Sequence, residues 1–309
     1  MAHTLRFGIT VPPRLAAAEA PAGGTLARYA ARAEELGFVA LWAGDHVWHP
    51  ATFVHSVAML ALLANATERV RLGFAAYQLP LRHPLVAAQE MVTLDHLSGG
   101  RLIAGVATGS QAAEYASLGI PFHERGARLD EGLEAVTRLW TETDVTFRGR
   151  FFSFENVTLA PPVQQPHPPI WIGSWSGNPR SARRVARYAA GWQASGLHTT
   201  VAEFREGWAR IEAAAREIGR DPATIRRAYV NAVVWLDIDR GRAQQAAPRG
   251  PTLRDEEDQR LIGTPDDVVA RLTALAEAGV QEVSILPPEI SIPQLELFAR
   301  EVMPALSGR

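Results

Sequence analysis

Short apolar runs alternate with longer segments in which apolar residues recur every three or four positions, which is typical of buried strands separated by amphipathic helices. The short runs predict strands at 6–11, 38–43, 69–77, 102–108, 170–173, 192–195, 228–238 and 281–286. The periodic segments predict helices at 25–37, 55–65, 84–97, 125–141, 179–190, 201–219, 265–278 and 292–306. Eight such strand–helix units predict a closed (β/α)8 TIM barrel, because strands separated by helices pair in parallel.

Two segments interrupt this alternation. Residues 144–169 contain a predicted hairpin and a proline-rich crossing, and residues 239–260 are polar and rich in charge. We interpret both as loop insertions in a single domain that spans 1–309. An open, doubly wound sheet is the alternative architecture, but it favours a glycine fingerprint after the first strand, and Gly8-Ile9-Thr10-Val11-Pro12-Pro13 has none.

Composition excludes several kinds of chemistry. The chain is 47% hydrophobic and has a net charge of -2, which predicts a globular protein without affinity for nucleic acid or for an anionic membrane. It begins without the apolar core of a signal peptide, so a cytoplasmic location is expected. There is no cysteine, and all 31 basic residues are arginine. Thiolate nucleophiles, cysteine-ligated zinc, Schiff-base lysines and P-loops are therefore excluded.

Asp45 and His46 follow the second predicted strand, and barrel enzymes carry their chemistry at this end of their strands. They are the candidate catalytic pair, although a loop histidine bonded to its neighbours would have the same sequence. We expect Asp45 to orient His46 and to favour its charged form. The candidate substrate-binding residues are Thr10 at the end of the first strand, Trp48 in the same loop as Asp45 and His46, and His198 after the sixth strand, with Trp48 suited to stacking on a flat ring.

The loop after the fifth predicted strand is rich in glycine and serine and leads to a helix start at Asn178-Pro179. Free backbone N–H groups at such a point favour an anion, most naturally a phosphate, although an ordinary turn capped by Asn178 would look similar. Arg180 and Arg183 could add positive charge. The candidate cofactor-binding residues of this loop and of the loop after the fourth strand are Gly173, Ser174, Trp175, Ser176, Gly177, Thr108, Gly109, Ser110 and Gln111. No metal site is expected, because no third ligand stands at a motif spacing from His46 and His49.

Several segments together resemble the luciferase-like flavin and deazaflavin oxidoreductases, and they cover nearly the whole chain. They are Glu35-Leu36-Gly37-Phe38-Val39-Ala40-Leu41-Trp42 before Asp45-His46; Leu94-Asp95-His96-Leu97-Ser98-Gly99-Gly100-Arg101-Leu102; Leu118-Gly119-Ile120-Pro121-Phe122 with Arg125-Gly126-Ala127-Arg128-Leu129-Asp130-Glu131; Leu159-Ala160-Pro161-Pro162 with Pro168-Pro169-Ile170-Trp171-Ile172-Gly173; Tyr188-Ala189-Ala190-Gly191-Trp192; and Ile262-Gly263-Thr264-Pro265.

This resemblance implies a (β/α)8 barrel, usually dimeric, that binds FMN or the deazaflavin coenzyme F-420 at the carboxyl ends of its strands. Ala75, Ala76 and Tyr77 match a bulged third strand, which in the deazaflavin branch holds a non-proline cis peptide behind the cofactor ring. Residues 173–177 match the phosphate loop. A homodimer is expected, formed through the helices at 55–65 and 84–97.

The order Asp-His is similar to the deazaflavin branch. The implied activity is hydride transfer between coenzyme F-420 and a small organic substrate, with His46 as proton donor or acceptor. The alternatives are an FMN-dependent monooxygenase supplied with reduced flavin by a separate reductase, a non-catalytic cofactor-binding barrel, and, least favoured, a metal-dependent hydrolase. Three departures from the deazaflavin branch argue against sugar-phosphate oxidation: no Glu at Ser110 or Gln111, Pro50 in place of a Trp, and no lysine.

Overall fold

The computed structural model describes residues 4–12, 23–49, 53–175, 177–246 and 260–306. The strands are β1 Arg6–Val11, β2 Ala40–Ala43, β3 Arg71–Phe74, β4 Tyr77–Gln78, β5 Leu102–Ala107, β6 Val145–Arg148, β7 Ser153–Val157, β8 Ile170–Ser174, β9 Gly191–Ser195, β10 Arg226–Leu236, β11 Leu261–Gly263 and β12 Glu282–Leu286. The helices are α1 Gly23–Glu35, α2 Ser56–Ala66, α3 Pro84–Ser98, α4 Ala112–Ser117, α5 Arg125–Thr141, α6 Pro179–Tyr188, α7 Val201–Glu217, α8 Arg240–Ala246, α9 Pro265–Glu277, α10 Ile292–Glu301 and α11 Met303–Leu306.

The main sheet closes on itself as an eight-membered parallel barrel. Its strands follow the order β1, β2, β3, β5, β8, β9, β10 and β12, and β12 pairs with β1 to complete the ring. The predicted (β/α)8 barrel is therefore confirmed. The hairpin of β6 and β7 is antiparallel and forms a separate sheet, as the first interrupting segment predicted. Of the second, α8 is described, and residues 247–259 lie outside the described part of the chain.

The third barrel strand is broken, whereas the sequence predicted one strand over 69–77. β3 ends at Phe74, the peptide between Ala75 and Ala76 is cis, and β4 begins at Tyr77. A Cβ on Gly105 of the neighbouring strand would lie 1.9 Å from the Phe74 carbonyl oxygen, so the bulged backbone fits only because Gly105 has no side chain. The bulge and the cis peptide implied by the resemblance are both present.

Two short helices were missed by the pattern of apolar residues. α4 has six residues, too few for a recurring apolar face, and α8 has seven. The last predicted helix is also divided in two, because α10 ends at Glu301 and α11 begins at Met303. The omission of α4 matters most, because its buried residues include a carboxylate, that of Glu114.

Tryptophan side chains fill much of the barrel interior. Trp42 and Trp171 pack at 5.2 Å between ring centroids, within a small buried cluster that is distinct from the larger core between barrel and helices. A Cβ on Gly73 would lie 2.3 Å from the Trp42 ring, so this glycine provides the room for it. No helix in the described ranges has both the length and the apolar character needed to span a bilayer.

Candidate functional site

A cavity of about 1550 Å³ lies at the carboxyl ends of the barrel strands. Residues from the loops after most of the strands contribute to its wall. Its volume exceeds the roughly 300–1,000 Å³ of an ordinary small-molecule pocket, so it can hold a cofactor and a substrate together.

His46 lines this cavity, and its imidazole ring is hydrogen-bonded to Glu114. The His46 Nδ1 atom lies 3.0 Å from Glu114 Oε2. Glu114 Oε1 accepts hydrogen bonds from the backbone N–H groups of Val47 at 2.9 Å and Trp48 at 3.2 Å, and Gln78 Nε2 donates to Oε2 at 3.1 Å. With Nδ1 donating to a carboxylate, Nε2 is the ring nitrogen left to exchange a proton with a ligand.

The Glu114 carboxylate is almost completely buried, with 1% of the residue exposed. Burial by itself would raise the pKa of Glu114, but the hydrogen bonds from His46, Gln78 and the Trp48 backbone outweigh it and hold the pKa below its ordinary value. Glu114 is therefore ionised at neutral pH. Glu114 was absent from the sequence prediction, and the available signal was an acidic residue six positions after the fourth predicted strand.

Asp45 does not orient His46, so that part of the sequence prediction is wrong. Its carboxylate accepts two hydrogen bonds from Arg82, at 2.7 and 2.9 Å, one from Ser56 Oγ at 2.7 Å and one from the Gln78 backbone N–H at 2.9 Å. Among the hydrogen bonds of the described ranges, none joins this carboxylate to the His46 ring. The cause is Arg82, whose largely buried guanidinium needs a counter-ion and has Asp45 as its partner.

Most of the predicted cofactor-binding residues line the cavity. They are Ala75, Ala76, Thr108, Gly109, Ser110, Gln111, Gly173, Ser174 and Trp175. Tyr77 does not line it, because its hydroxyl donates to Glu90 at 2.6 Å and its ring packs under the Arg82 guanidinium. Gly177 does not line it either, because it packs against the backbone of α7. Ser176 lies outside the described residues.

The predicted substrate-binding residues divide in the same way. Thr10 and His198 line the cavity; the Thr10 hydroxyl lies 2.9 Å from both Asn231 Oδ1 and Ser284 Oγ. Trp48 is not part of the cavity wall, and 52% of the residue is exposed. Only its backbone reaches the site, through the bond to Glu114. Trp175, in contrast, lines the cavity, with its ring 4.1 Å from the ring of His198.

Part of the cavity wall has the shape and the polar groups needed to bind a flat heterocyclic ring. Ala76, Ala107 and Gly173 form a small-residue surface, where a Cβ added to Gly173 would lie 3.2 Å from the Cβ atoms of both alanines. Gln193 also lines the cavity, and its Nε2 donates to the Phe74 carbonyl at 3.1 Å, whereas its Oε1 is buried without a partner. A ring N–H is the kind of group that would satisfy this oxygen.

The amino-terminal end of α6 is suited to binding an anion. Asn178 caps the helix by accepting a hydrogen bond from the Ser181 backbone N–H at 3.1 Å. The Ser181 hydroxyl is buried without a hydrogen-bond partner, and the residue lines the cavity. A phosphate here would meet the positive end of the helix and an available hydroxyl. The Asn178 cap therefore leaves the amino-terminal end of α6 able to bind a phosphate. Within the described ranges, no group of three or more potential metal ligands is found.

Replacing Glu114 by Gln is expected to lower turnover about a hundredfold, because an amide that donates toward Nδ1 favours the tautomer with its proton on Nε2. The folded protein holds the pKa of Glu114 below its ordinary 4.5, so the ionised carboxylate stabilises the fold above that pH and this contribution is lost as the pH falls. The difference in unfolding free energy between wild type and variant should therefore shrink in acid.

Steady-state kinetics and urea unfolding at several pH values measure both effects. Glu90→Gln is the matched control, because Glu90 accepts a hydrogen bond from Tyr77 and does not line the cavity. Equal turnover of the two variants would show that Glu114 does not act through His46.

The chain is similar to flavin- and deazaflavin-dependent proteins along most of its length. A model of the luciferase-like monooxygenase family matches residues 5–257. The F420-dependent glucose-6-phosphate dehydrogenase of Kineococcus radiotolerans is 29% identical, with 94% of this chain and 95% of that protein aligned. The FMNH(2)-dependent dimethylsulfone monooxygenase of Pseudomonas putida is also 29% identical, with 87% and 82% aligned. The crystal structure of the monooxygenase RslO1 from Streptomyces bottropensis superposes with a TM-score of 0.83 at 29% identity, covering 97% of this chain and 99% of that one.

Proposed function

The chain belongs to the luciferase-like monooxygenase family, and from this premise we propose that it transfers hydride between the deazaflavin coenzyme F-420 and a small organic substrate. It is an oxidoreductase of this family, with relatives named for F420 and for reduced FMN. Asp-His at 45–46 is similar to the deazaflavin branch, and the site geometry supplies the proton chemistry that hydride transfer needs.

The observation that carries the proposal is the pair of His46 and Glu114 in the cavity wall. Removing hydride from the carbon of an alcohol leaves a proton to be taken from its oxygen, and the reverse reaction must return that proton. His46 Nε2 is the group that would accept or donate it, because Nδ1 is engaged by Glu114 at 3.0 Å. Other histidines line the cavity, and the case for His46 is its bond to the buried Glu114 carboxylate.

The remaining cavity residues fit the cofactor. When bound, the deazaflavin supplies the ring carbon that accepts or gives hydride. Ala76, Ala107 and Gly173 would take one face of its ring, Gln193 Oε1 would accept from a ring N–H, and Ser181 with the start of α6 would bind its phosphate. The protein's task is then to position the ring and the substrate and to exclude water.

A two-component monooxygenase is the second candidate, and sequence similarity supports it as well as it supports the dehydrogenase. The dimethylsulfone monooxygenase and RslO1 are each as similar in sequence to this chain as the glucose-6-phosphate dehydrogenase is. Reduced FMN would then come from a separate reductase and react with oxygen. The same ring and phosphate residues would bind FMN, so the cavity supports both candidates.

Binding of the two cofactors to the purified protein, followed by fluorescence, is the test. We expect tight binding of the deazaflavin, substrate-dependent change in its absorbance, and no oxygen uptake. Tight binding of reduced FMN alone, with substrate-dependent oxygen uptake, would replace the proposal by the monooxygenase. Binding of neither cofactor would overturn the assignment of the phosphate and ring sites. Bound cofactor that no substrate oxidises or reduces would favour a non-catalytic barrel.

The protein is further proposed to be a homodimer through α2 and α3. Supporting this, Val86 and Leu97 of α3 are exposed apolar residues, at 51% and 60%. Light scattering of the purified protein should give twice the mass of one chain, and the mass of a single chain would contradict the dimer.

A further inference from the structure

The cavity has two halves that follow the order of the barrel strands. The cofactor-binding residues that line it come from β5, from β8 and from the break between β3 and β4, with Gln193 of β9 beside them. The other strands, β10, β12, β1 and β2, are contiguous around the ring, and the residues that they and their following loops contribute form what we call the second half. His46 follows β2, which pairs with β3, so it stands where the two halves meet.

The second half is lined mainly by apolar side chains, those of Pro12, Phe53, Val233, Leu286, Pro287 and Pro288. The Phe53 ring packs against the His46 ring, with 4.7 Å between their centroids. Among the described residues that line this half, the carboxylate is that of Asp45, and Arg82 neutralises it. The arginines that line the cavity belong to α5 and α6, which follow β5 and β8. The second half therefore favours an uncharged, mainly hydrocarbon ligand.

A β-bulge in β10 turns the Asn231 side chain into this half. Between Tyr229 and Ala232, β10 has one residue more than the segment of β12 with which it pairs. Neighbouring residues of a regular strand point to opposite faces, but Val230 and Asn231 both line the cavity. The backbone of Asn231 is left-handed, with a φ of 62°, a conformation that asparagine adopts more readily than most residues.

Hydrogen bonds determine which way the Asn231 amide points. The Thr10 hydroxyl donates its single proton to Asn231 Oδ1 at 2.9 Å, so Ser284 Oγ, also at 2.9 Å, must donate to Thr10. The oxygen of the amide is therefore occupied. Its Nδ2 carries two N–H groups, and one of them donates to the Ala75 carbonyl at 3.4 Å, which makes a weak bond. Asn231 thus presents a hydrogen-bond donor to the cavity, at the side of the second half that faces Ala75.

We propose that the second half binds an uncharged, mainly hydrocarbon substrate with two acceptor oxygens, one that exchanges a proton with His46 and one that accepts from Asn231 Nδ2. The role of the first oxygen rests on the proposed function. In the reducing direction, the reduced deazaflavin gives hydride to the carbonyl carbon, the second bond of the carbonyl group breaks, and its oxygen takes a proton from His46. The deazaflavin is left oxidised. Asn231 touches the distant oxygen and is therefore a residue that determines specificity.

Three matched ketones test the substrate class. They are a decalone with one carbonyl, a decalindione with a carbonyl on each ring, and a decalone with a carboxylate on its second ring. Dissociation constants are measured by ligand-observed NMR with oxidised cofactor present, so that no hydride is transferred. We expect the dione to bind about tenfold more tightly than the decalone, through the bond to Asn231, and the carboxylate to bind more weakly than either. Equal binding of dione and decalone, or tightest binding of the carboxylate, would overturn the proposal.

Asn231→Asp tests the donor itself. Aspartate has the same shape, still accepts from Thr10 and tolerates the left-handed backbone, but it has no N–H group to offer, so the preference for the dione should be lost. Asn231→Gly should lose it as well, because glycine keeps the backbone conformation and removes the amide. Asn156→Asp is the matched control, since Asn156 also has a left-handed backbone, with a φ of 54°, and does not line the cavity.

The control should keep the tenfold preference. If both variants at position 231 keep it too, or if Asn156→Asp loses it, Asn231 is not the group that binds the second oxygen.

Oxidation of the reduced deazaflavin separates this proposal from the proposed function. The absorbance of the cofactor is followed after each ketone is added, and we expect the dione to give the highest kcat/KM. Preferential binding of the dione without any oxidation of the cofactor would overturn hydride transfer and leave the substrate site in place. Oxidation with equal kcat/KM for all three ketones would overturn the substrate site and leave hydride transfer in place.

Discussion

His46→Ala is expected to lower turnover about a thousandfold while the fold and the affinity for cofactor persist, because a positioned acid–base group contributes about 10²–10⁴-fold to a reaction that moves a proton. The side chain is 23% exposed and its ring lies against His49 and Phe53 at the cavity edge, so its removal leaves no sealed core cavity. Turnover numbers under saturating substrate, with cofactor binding measured separately, give the result.

His46→Asn is the matched variant for this experiment. Its amide can keep a hydrogen bond to Glu114 but cannot exchange a proton with substrate, so we expect turnover as low as that of His46→Ala with full thermal stability. Normal turnover of either variant would remove His46 from the mechanism and leave the histidines elsewhere in the cavity wall as candidates. A loss confined to cofactor affinity would assign His46 to binding.

The barrel was predictable because its signals are local. Strands such as β1 and helices such as α5 have the bounds that the apolar pattern predicts, since β1 is buried at every position after its first and α5 buries an apolar face along its length. The break in the third strand could not be predicted from the pattern of apolar residues. It depends on Gly105 of the next strand, which leaves room for the Phe74 carbonyl. That contact is made across the sheet and has no periodic signature.

The site was predictable only in part, for the same reason. His46 could be found because strand ends converge in a barrel, but its partner could not be identified from adjacency. Asp45 is next to it in sequence and bonds elsewhere, whereas Glu114 lies 68 residues away and makes the contact. Which carboxylate faces the ring is decided by Arg82, and the sequence does not show that this arginine is buried beside Asp45.

Asp45→Asn is expected to lower the free energy of unfolding by about 3–5 kcal/mol, because it leaves the largely buried Arg82 guanidinium without its counter-ion. Burial by itself would lower the pKa of Arg82, but the facing Asp45 carboxylate, together with Tyr77 and Glu90, outweighs burial and raises it. The Arg82 side chain is 11% exposed and that of Asp45 is 1% exposed, so water has little access to replace the lost bonds. Urea unfolding followed by circular dichroism measures the loss.

The turnover of Asp45→Asn distinguishes a structural role of Asp45 from a direct role in catalysis. Well below its unfolding temperature, Asp45→Asn should turn over within about fivefold of wild type, because the Glu114–His46 bond remains, whereas a direct role in proton transfer predicts a loss of about 10²-fold or more. The double variant Asp45→Asn/Arg82→Met should recover much of the stability, since it removes the orphaned charge. If it does not, the stability of the pair comes from the Ser56 and Gln78 hydrogen bonds to Asp45, and the charge of Arg82 is not what fixes this carboxylate.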